Sequence, residues 1–303
     1  MIIVRNPIEL REELKSRRFH AAQNSRALSI GFVPTMGFLH EGHASLLRQA
    51  RSNDVVVLSI FVNPIQFGPN EDFDRYPRDT ERDLELAEAE GVDIVFMPEV
   101  QDMYPSPTQT TIQVAELTSR LCGASRPGHF DGVTTVVAKL LHIVQPDSAY
   151  FGLKDAQQVA VISQMVSDLN MDVNIVPCPI VREPDGLALS SRNVYLTDEQ
   201  RAEALVLSSS LQEAAKLLAN GSVTTAAELA ALIRDRISAK PLADIDYVEV
   251  LTFPGLEPIP EQAVLSELNT GFITALAVKF GHTRLIDNML MEPMEQKGVA
   301  IHV

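Results

Sequence analysis

Two histidines three residues apart, His40 and His43, stand where a turn broken by Pro34 and Gly37 gives way to a helix entered near Gly42. The first turn of a helix carries unpaired backbone N–H groups and the positive end of the macrodipole, so it suits an anion. Two ring N–H donors beside it would make a site for phosphate oxygens. Zinc is another reading of His-x-x-His. Helical zinc pairs more often use a spacing of four, however, and neither Cys122 nor Cys178 has a partner at a metal-site spacing. An isolated pair is most often two ordinary surface or core histidines. The context raises the odds here: strand, turn, histidine pair and helix follow in the order that puts a phosphate at the carboxyl end of a parallel sheet.

Three further constellations could carry chemistry. Lys154, in Phe151-Gly-Leu-Lys-Asp155, lies at a second junction of strand and helix. Its ammonium could hold a phosphate while Gly152 lets the backbone approach a nucleotide; alone, a lysine before a helix is usually a solvated surface charge. Ser190, Ser191 and Arg192 follow Leu189, and two hydroxyls with a guanidinium can bind phosphate oxygens, although a cap and turn is the plainer reading. Gln66 and Gln158 each follow a strand. An amide both donates and accepts, so the pair could grip a substrate bearing hydroxyl and carboxylate groups, where either alone reads as a surface residue. No Ser-His-Asp signature, P-loop, paired cysteines or GxGxxG is present.

These groups need a frame. Asn6-Pro7 reads as an N-cap and first helical residue of a helix running to about Arg17. Leu28 to Val33 and the almost wholly apolar Asp54 to Val62 read as strands covered on both faces, as in parallel sheets. A helix from Asp79 to Glu90 stops at Gly91, a C′ residue, and Val92 to Met97 forms another strand. After an irregular stretch, 98–130, come a helix at Val133 to Val144, a strand at Ser148 to Phe151, a helix at Asp155 to Leu169 and a strand at Val173 to Pro177. Such alternation predicts an α/β fold, a doubly wound, mostly parallel Rossmann-like sheet over residues 1–180. Residues 181–303 read differently, with Ala/Leu-rich helices at 198–220 and 224–239 before strands at Tyr247 to Leu251, Phe272 to Lys279 and Leu285 to Asn288. Helices first and strands afterwards predict a smaller α+β lid domain.

The 303 residues suffice for two ordinary domains, and 46% hydrophobic with 21% charged residues is a soluble composition. A formal charge of −15 argues against a general nucleic-acid binder. It does not forbid an anionic substrate, because salt limits distant charges to a reach of about 8 Å. No signal-peptide pattern opens the chain and no run approaches the roughly 18 apolar residues of a membrane span. Two lone cysteines suggest no disulfide framework, so a cytoplasmic enzyme without membrane or nucleic-acid partners is expected.

Pro34-Thr-Met-Gly-Phe-Leu-His-Glu-Gly-His43, Phe61-Val-Asn-Pro-Ile-Gln-Phe67, Arg75-Tyr-Pro-Arg78, Arg126-Pro-Gly-His-Phe-Asp-Gly-Val133, Phe151-Gly-Leu-Lys-Asp155, Ser190-Ser-Arg-Asn193 and Thr283-Arg-Leu-Ile-Asp-Asn288 together closely resemble the pantothenate synthetase family. The histidine pair by itself resembles only the wider nucleotidyltransferase superfamily. The family resemblance implies a homodimer that joins pantoate to β-alanine with ATP and Mg²⁺, through pantoyl adenylate, releasing pyrophosphate and AMP. By motif position it implies an ATP site lined by Pro34, Thr35, Met36, Gly37, Phe38, Leu39, His40, Glu41, Gly42 and His43. Gly152, Leu153, Lys154, Asp155, Val181, Leu189, Ser190, Ser191 and Arg192 would complete it. Gln66 and Gln158 would hold pantoate, Gln66 also β-alanine, and His43 would donate a proton. His40, His43, Lys154, Ser191 and Arg192 are the expected catalytic set. Leu153 stands where glutamate is common and Asp79 where threonine is common. Asp83, one helical turn beyond Asp79, is the candidate Mg²⁺ contact. Two rivals remain at this stage: an adenylyltransferase acting on a phosphorylated cofactor precursor, and a nucleotide-sensing module that binds ATP without turnover.

Overall fold

The computed structural model describes residues 1–69, 71 and 73–292. In chain order its elements are β1 (Ile2–Val4), α1 (Pro7–Gln23), β2 (Ile30–Thr35), α2 (Glu41–Ala50), β3 (Val55–Ile60), α3 (Thr80–Ala89), β4 (Ile94–Phe96), α4 (Val100–Met103), α5 (Leu121–Ser125), α6 (His129–Val144), β5 (Ser148–Gly152), α7 (Ala156–Asp168) and β6 (Asn174–Cys178). Then follow α8 (Asp198–Ala204), α9 (Val206–Ala219), α10 (Ala226–Ser238), β7 (Ala243–Thr252), β8 (Phe272–Phe280) and β9 (Thr283–Met291). The chain divides into two compact units, residues 1–115, 126–153 and 161–179, and residues 116–125, 154–160 and 180–303. No helix among the described residues is long and apolar enough to cross a membrane.

The first unit holds six parallel strands in the order β1-β4-β3-β2-β5-β6. From β2 the chain winds outward through β3 to β4 on one side and through β5 to β6 on the other, so the direction of winding reverses between β2 and β5. The carboxyl ends of two strands at such a switch form the crevice where open α/β sheets bind ligands. Strand β3 is buried along Val55, Val56, Val57, Leu58 and Ser59, as its apolar run predicts for a strand covered on both faces. Leu39, Leu47, Leu58, Val95 and Met97 belong to one core cluster on this sheet.

Several boundaries differ from the sequence reading. Helix α1 runs on to Gln23, because nothing after Arg17 breaks a helix until Asn24 and the left-handed Ser25. Strand β2 continues through Pro34 to Thr35. The Thr35 carbonyl accepts from Phe61 N–H on the β3 side. By alternation Pro34 turns its nitrogen the other way, beyond the last β5 pairing at Phe32, where no ladder bond is lost. Helix α6 begins at His129 rather than Val133, entered from the left-handed Gly128. Gly91 does adopt the left-handed conformation expected after α3.

In the second unit β7, β8 and β9 form an antiparallel sheet, each strand longer than its apolar run suggests. Leu207, Leu211, Leu229, Ile233, Val248, Leu276 and Phe280 are buried together in its core. The predicted helix at 198–220 is two helices meeting at Leu205. A smaller cluster joins Leu121, Ala156 and Ala160 to Leu251 and Ile273, tying the segments at 116–125 and 154–160 into this unit.

Candidate active site

In the first unit the turn between β2 and α2 is built on a buried carboxylate. Gly37 (φ 83°) and Phe38 (φ 50°) are consecutive left-handed residues, which makes successive backbone N–H groups converge. Asp83, on α3, fills that concavity: Oδ2 accepts from Phe38 N–H at 2.8 Å and Oδ1 from Leu39 N–H at 2.6 Å. A Cβ on Gly37 would lie 2.9 Å from Asp83 Oδ2, so glycine serves both the backbone conformation and the close approach. Burial raises the Asp83 pKa above the usual carboxylate value, and the two amide donors oppose the rise. Both oxygens of Asp83, the Mg²⁺ contact expected from the sequence, are thus engaged in shaping the turn. Among the described residues no group of three or more His, Cys, Asp or Glu could hold a metal.

The turn delivers His40 and His43, whose rings lie 4.1 Å apart between centroids. His40 Nδ1 accepts from Gly42 N–H at 3.1 Å, and His43 Nδ1 accepts from His40 N–H at 3.3 Å. The backbone N–H groups of His43 and Ala44 are bonded to the His40 carbonyl. The N–H groups of Gly42, His43 and Ala44 at the start of α2 are thus engaged by His40. Because a backbone N–H only donates, both Nδ1 atoms are acceptors, and each neutral ring carries its proton on Nε2.

Beside this turn, Gln66 follows β3 in a short 3₁₀ turn (Pro64–Gln66), with its Nε2 3.1 Å from Met36 Sδ. Its backbone carbonyl accepts from His129 Nδ1 at 2.8 Å, and His129 Nε2 lies 3.0 Å from Arg126 Nη1. Arginine has no acceptor, so Nε2 accepts and the His129 proton sits on Nδ1, the tautomer opposite to that of the first pair. Arg126 in turn forms a two-point pair with Glu71, at 2.7 and 2.5 Å. Burial disfavours the Glu71 charge, but Arg126 outweighs it and the pKa is lowered. Sequence reasoning assigned no role to Glu71, Arg126 or His129; only their place in Arg126-Pro-Gly-His129 marked two of them. Gly152 closes β5, and Leu153 after it is buried.

In the second unit the structure brings Val181 and Leu189 together: Leu189 N–H donates to the Val181 carbonyl at 3.0 Å, across a small hairpin. Ser190 caps the following 3₁₀ turn (Ser191–Tyr195) by accepting from Arg192 N–H at 3.3 Å, the plainer role considered for it, and Ser191 is buried. Lys154 Nζ is 3.2 Å from Asp155 Oδ2. The backbone carbonyl of Lys154 accepts from Asn288 Nδ2 at 3.0 Å, and Asn288 N–H donates to Asp287 Oδ1 at 2.8 Å. Asp287 receives Arg182 in a two-point pair at 2.6 and 2.9 Å, at the base of the hairpin carrying Leu189 and Ser190. Hydrogen bonds thus run from Lys154 through Asn288 and Asp287 of β9 to Arg182, at the base of the hairpin that leads to Ser190. Gln158 is half-buried in the first turn of α7, which follows Lys154.

A family model described as pantoate–β-alanine ligase matches residues 2–290. The pantothenate synthetase of Acetivibrio thermocellus is 60% identical over 264 residues, covering 87% of this chain and 92% of its own. That of Caldicellulosiruptor bescii is 51% identical over 293 residues, covering 96% and 99%. The crystal structure of pantothenate synthetase from Thermus thermophilus is similar with a TM-score of 0.84 at 44% identity, over 95% of this chain and 99% of that one. A pantoate–β-alanine ligase from Francisella tularensis, complexed with beta-gamma ATP and β-alanine, gives 0.72 at 37% identity over 96% and 97%. With agreement of sequence and fold over nearly its whole length, the chain belongs to the pantoate–β-alanine ligase family and is an ATP-dependent, amide-forming ligase.

Proposed function

We propose that the enzyme makes pantothenate in two steps on one set of residues, working as a homodimer. The pantoate carboxylate attacks the α-phosphorus of ATP, forming pantoyl adenylate and expelling pyrophosphate. The β-alanine amine then attacks the acyl carbon, and AMP leaves. Attack of one anion on another requires positive charge and hydrogen-bond donors where charge builds. In this reading His40 and His43 direct Nε2–H donors at phosphate oxygens, and His43 gives a proton as pyrophosphate departs. Lys154, Ser190, Ser191 and Arg192 hold the remaining phosphate oxygens, Gln66 and Gln158 hold pantoate, and Gln66 also meets β-alanine. Mg²⁺ would enter with the triphosphate, which binds this hard cation through its own oxygens and lowers its own charge thereby.

Holding carboxylate and phosphorus in line replaces a bimolecular encounter, an effect worth up to roughly 7–11 kcal/mol in well-oriented systems. Exclusion of water is part of this proposal, because water would hydrolyse an acyl adenylate. The observation that best supports the assignment is the pair of imidazoles 4.1 Å apart between centroids, whose Nδ1 atoms accept from backbone donors, which leaves each ring's proton on Nε2. Pantoate-dependent exchange of pyrophosphate into ATP tests it. His43→Ala and Lys154→Ala should each reduce exchange by about 10²-fold or more, the scale for loss of one preorganised charge-stabilising group. Near-normal exchange in either folded variant would remove that residue from the mechanism.

A further inference from the structure

Gln66 does not choose its own orientation. The buried side chain of Asn63 has one neighbour that can only accept, the backbone carbonyl of Gly132, 3.1 Å from Asn63 Nδ2. That carbonyl decides which end of the Asn63 amide is nitrogen. The second proton on Nδ2 then goes to Gln66 Oε1 at 3.0 Å, and Asn63 Oδ1 is left to accept from the Tyr104 hydroxyl at 2.9 Å. Gln66 Oε1 is thereby occupied, and its Nε2 lies on the Met36 side. Gly132 makes this possible: a Cβ there would lie 2.4 Å from the Ile65 carbonyl oxygen and 2.6 Å from Gln66 Cα. Burial pushes the Tyr104 phenol up to about 12, so it remains a donor at any ordinary pH.

We infer that Tyr104 is a positioning residue: acting through Asn63, whose amide the Gly132 carbonyl orients, it holds the Gln66 amide in place so that Gln66 meets its ligand as an N–H donor and selects an oxygen acceptor, a carboxylate or hydroxyl oxygen. The inference rests on the proposal that Gln66 holds pantoate. Without the Tyr104 hydroxyl, Asn63 Oδ1 is left buried without that donor, and the Asn63 side chain is free to shift, which loosens the Gln66 amide that it holds.

Tyr104→Phe is a clean perturbation, because the ring keeps its contact with Phe61 (6.2 Å between centroids) and with Lys139 Nζ (4.7 Å from the ring centre). In pantoate-dependent ATP–pyrophosphate exchange, Y104F should raise the KM for pantoate about twofold to tenfold, the span of one neutral hydrogen bond. The maximal rate should change less than about twofold, with the KM for ATP unmoved. On a Gln66→Ala background the same substitution should add nothing, since its route is gone. An equal rise on both backgrounds, or no rise in Y104F when Q66A raises the KM, overturns the relay. An unchanged pantoate KM in Q66A instead overturns the assignment of Gln66 itself. Side-chain amide NMR of the unaltered enzyme gives an independent reading if Y104F fails to fold: pantoate should shift the Gln66 Nε2 resonance and leave Asn63 Nδ2 in place. Equal shifts of both overturn the relay.

Discussion

Replacing Asp83 by alanine tests whether the turn that carries the histidines depends on one carboxylate. The substitution removes the acceptor of two backbone N–H groups, and Leu39, which supplies one of them, is fully buried. An unsatisfied buried donor costs about 1–3 kcal/mol. The Phe38 amide is partly accessible and recovers some of its loss from water, so the pair should cost about 2–4 kcal/mol. Expressed locally, that is a fall of about 30-fold to several hundred-fold in hydrogen-exchange protection of the Leu39 amide, measured by NMR, with a parallel fall in ATP–pyrophosphate exchange. Asp83→Asn keeps one acceptor and turns an NH₂ toward the other donor, so it should lie between wild type and Asp83→Ala.

The pH dependence of this variant has a definite sign. The folded pKa of Asp83 is raised above its unfolded value, so this group's contribution is complete below the unfolded pKa and declines as pH rises through the folded one. The cost of Asp83→Asn should therefore be larger in acid than at neutral pH. Leu39 protection within about threefold of wild type in Asp83→Ala would refute the clamp, since even the low end of the cost predicts a larger fall. A metal-ligand role would instead leave Leu39 exchange unchanged and raise the Mg²⁺ concentration needed for activity.

Arg182→Ala should destabilise the second unit by about 3–5 kcal/mol, because Asp287, whose side chain is 2% exposed, would be left as an unpaired buried charge. Replacing the pair by Met and Asn together should be far milder, and a mild single variant would show that the pair is solvated. Cys178, its thiol pushed up to about 11 by burial, should resist iodoacetamide at about pH 8 in the folded enzyme and react once urea unfolds it; rapid alkylation of the native enzyme would contradict its burial.

What the chain determines locally was legible in its residues. Apolar runs at Val55–Ile60 and Ile94–Phe96, the breaker at Gly91, and the N-cap of Asn6 before Pro7 set elements by propensities and patterns confined to a few neighbours. The motif of His40 and His43 was equally visible, since its spacing and entry turn lie within one short stretch. Boundaries moved wherever a distant partner decided them. Pro34 stays in β2 because β5 has stopped pairing beside it, and α6 starts early because Gly132 lets the helix approach Gln66 closely.

The chemistry of the site was the least local part. Which nitrogen of His40, His43 and His129 carries the proton, which end of Gln66 faces outward, and whether Asp83 serves a metal or a turn all depend on donors and acceptors that the fold supplies. A side chain's type sets what hydrogen bonds it is able to make. Only packing, by placing a group such as the Gly132 carbonyl that can do nothing but accept, decides which of them it does make.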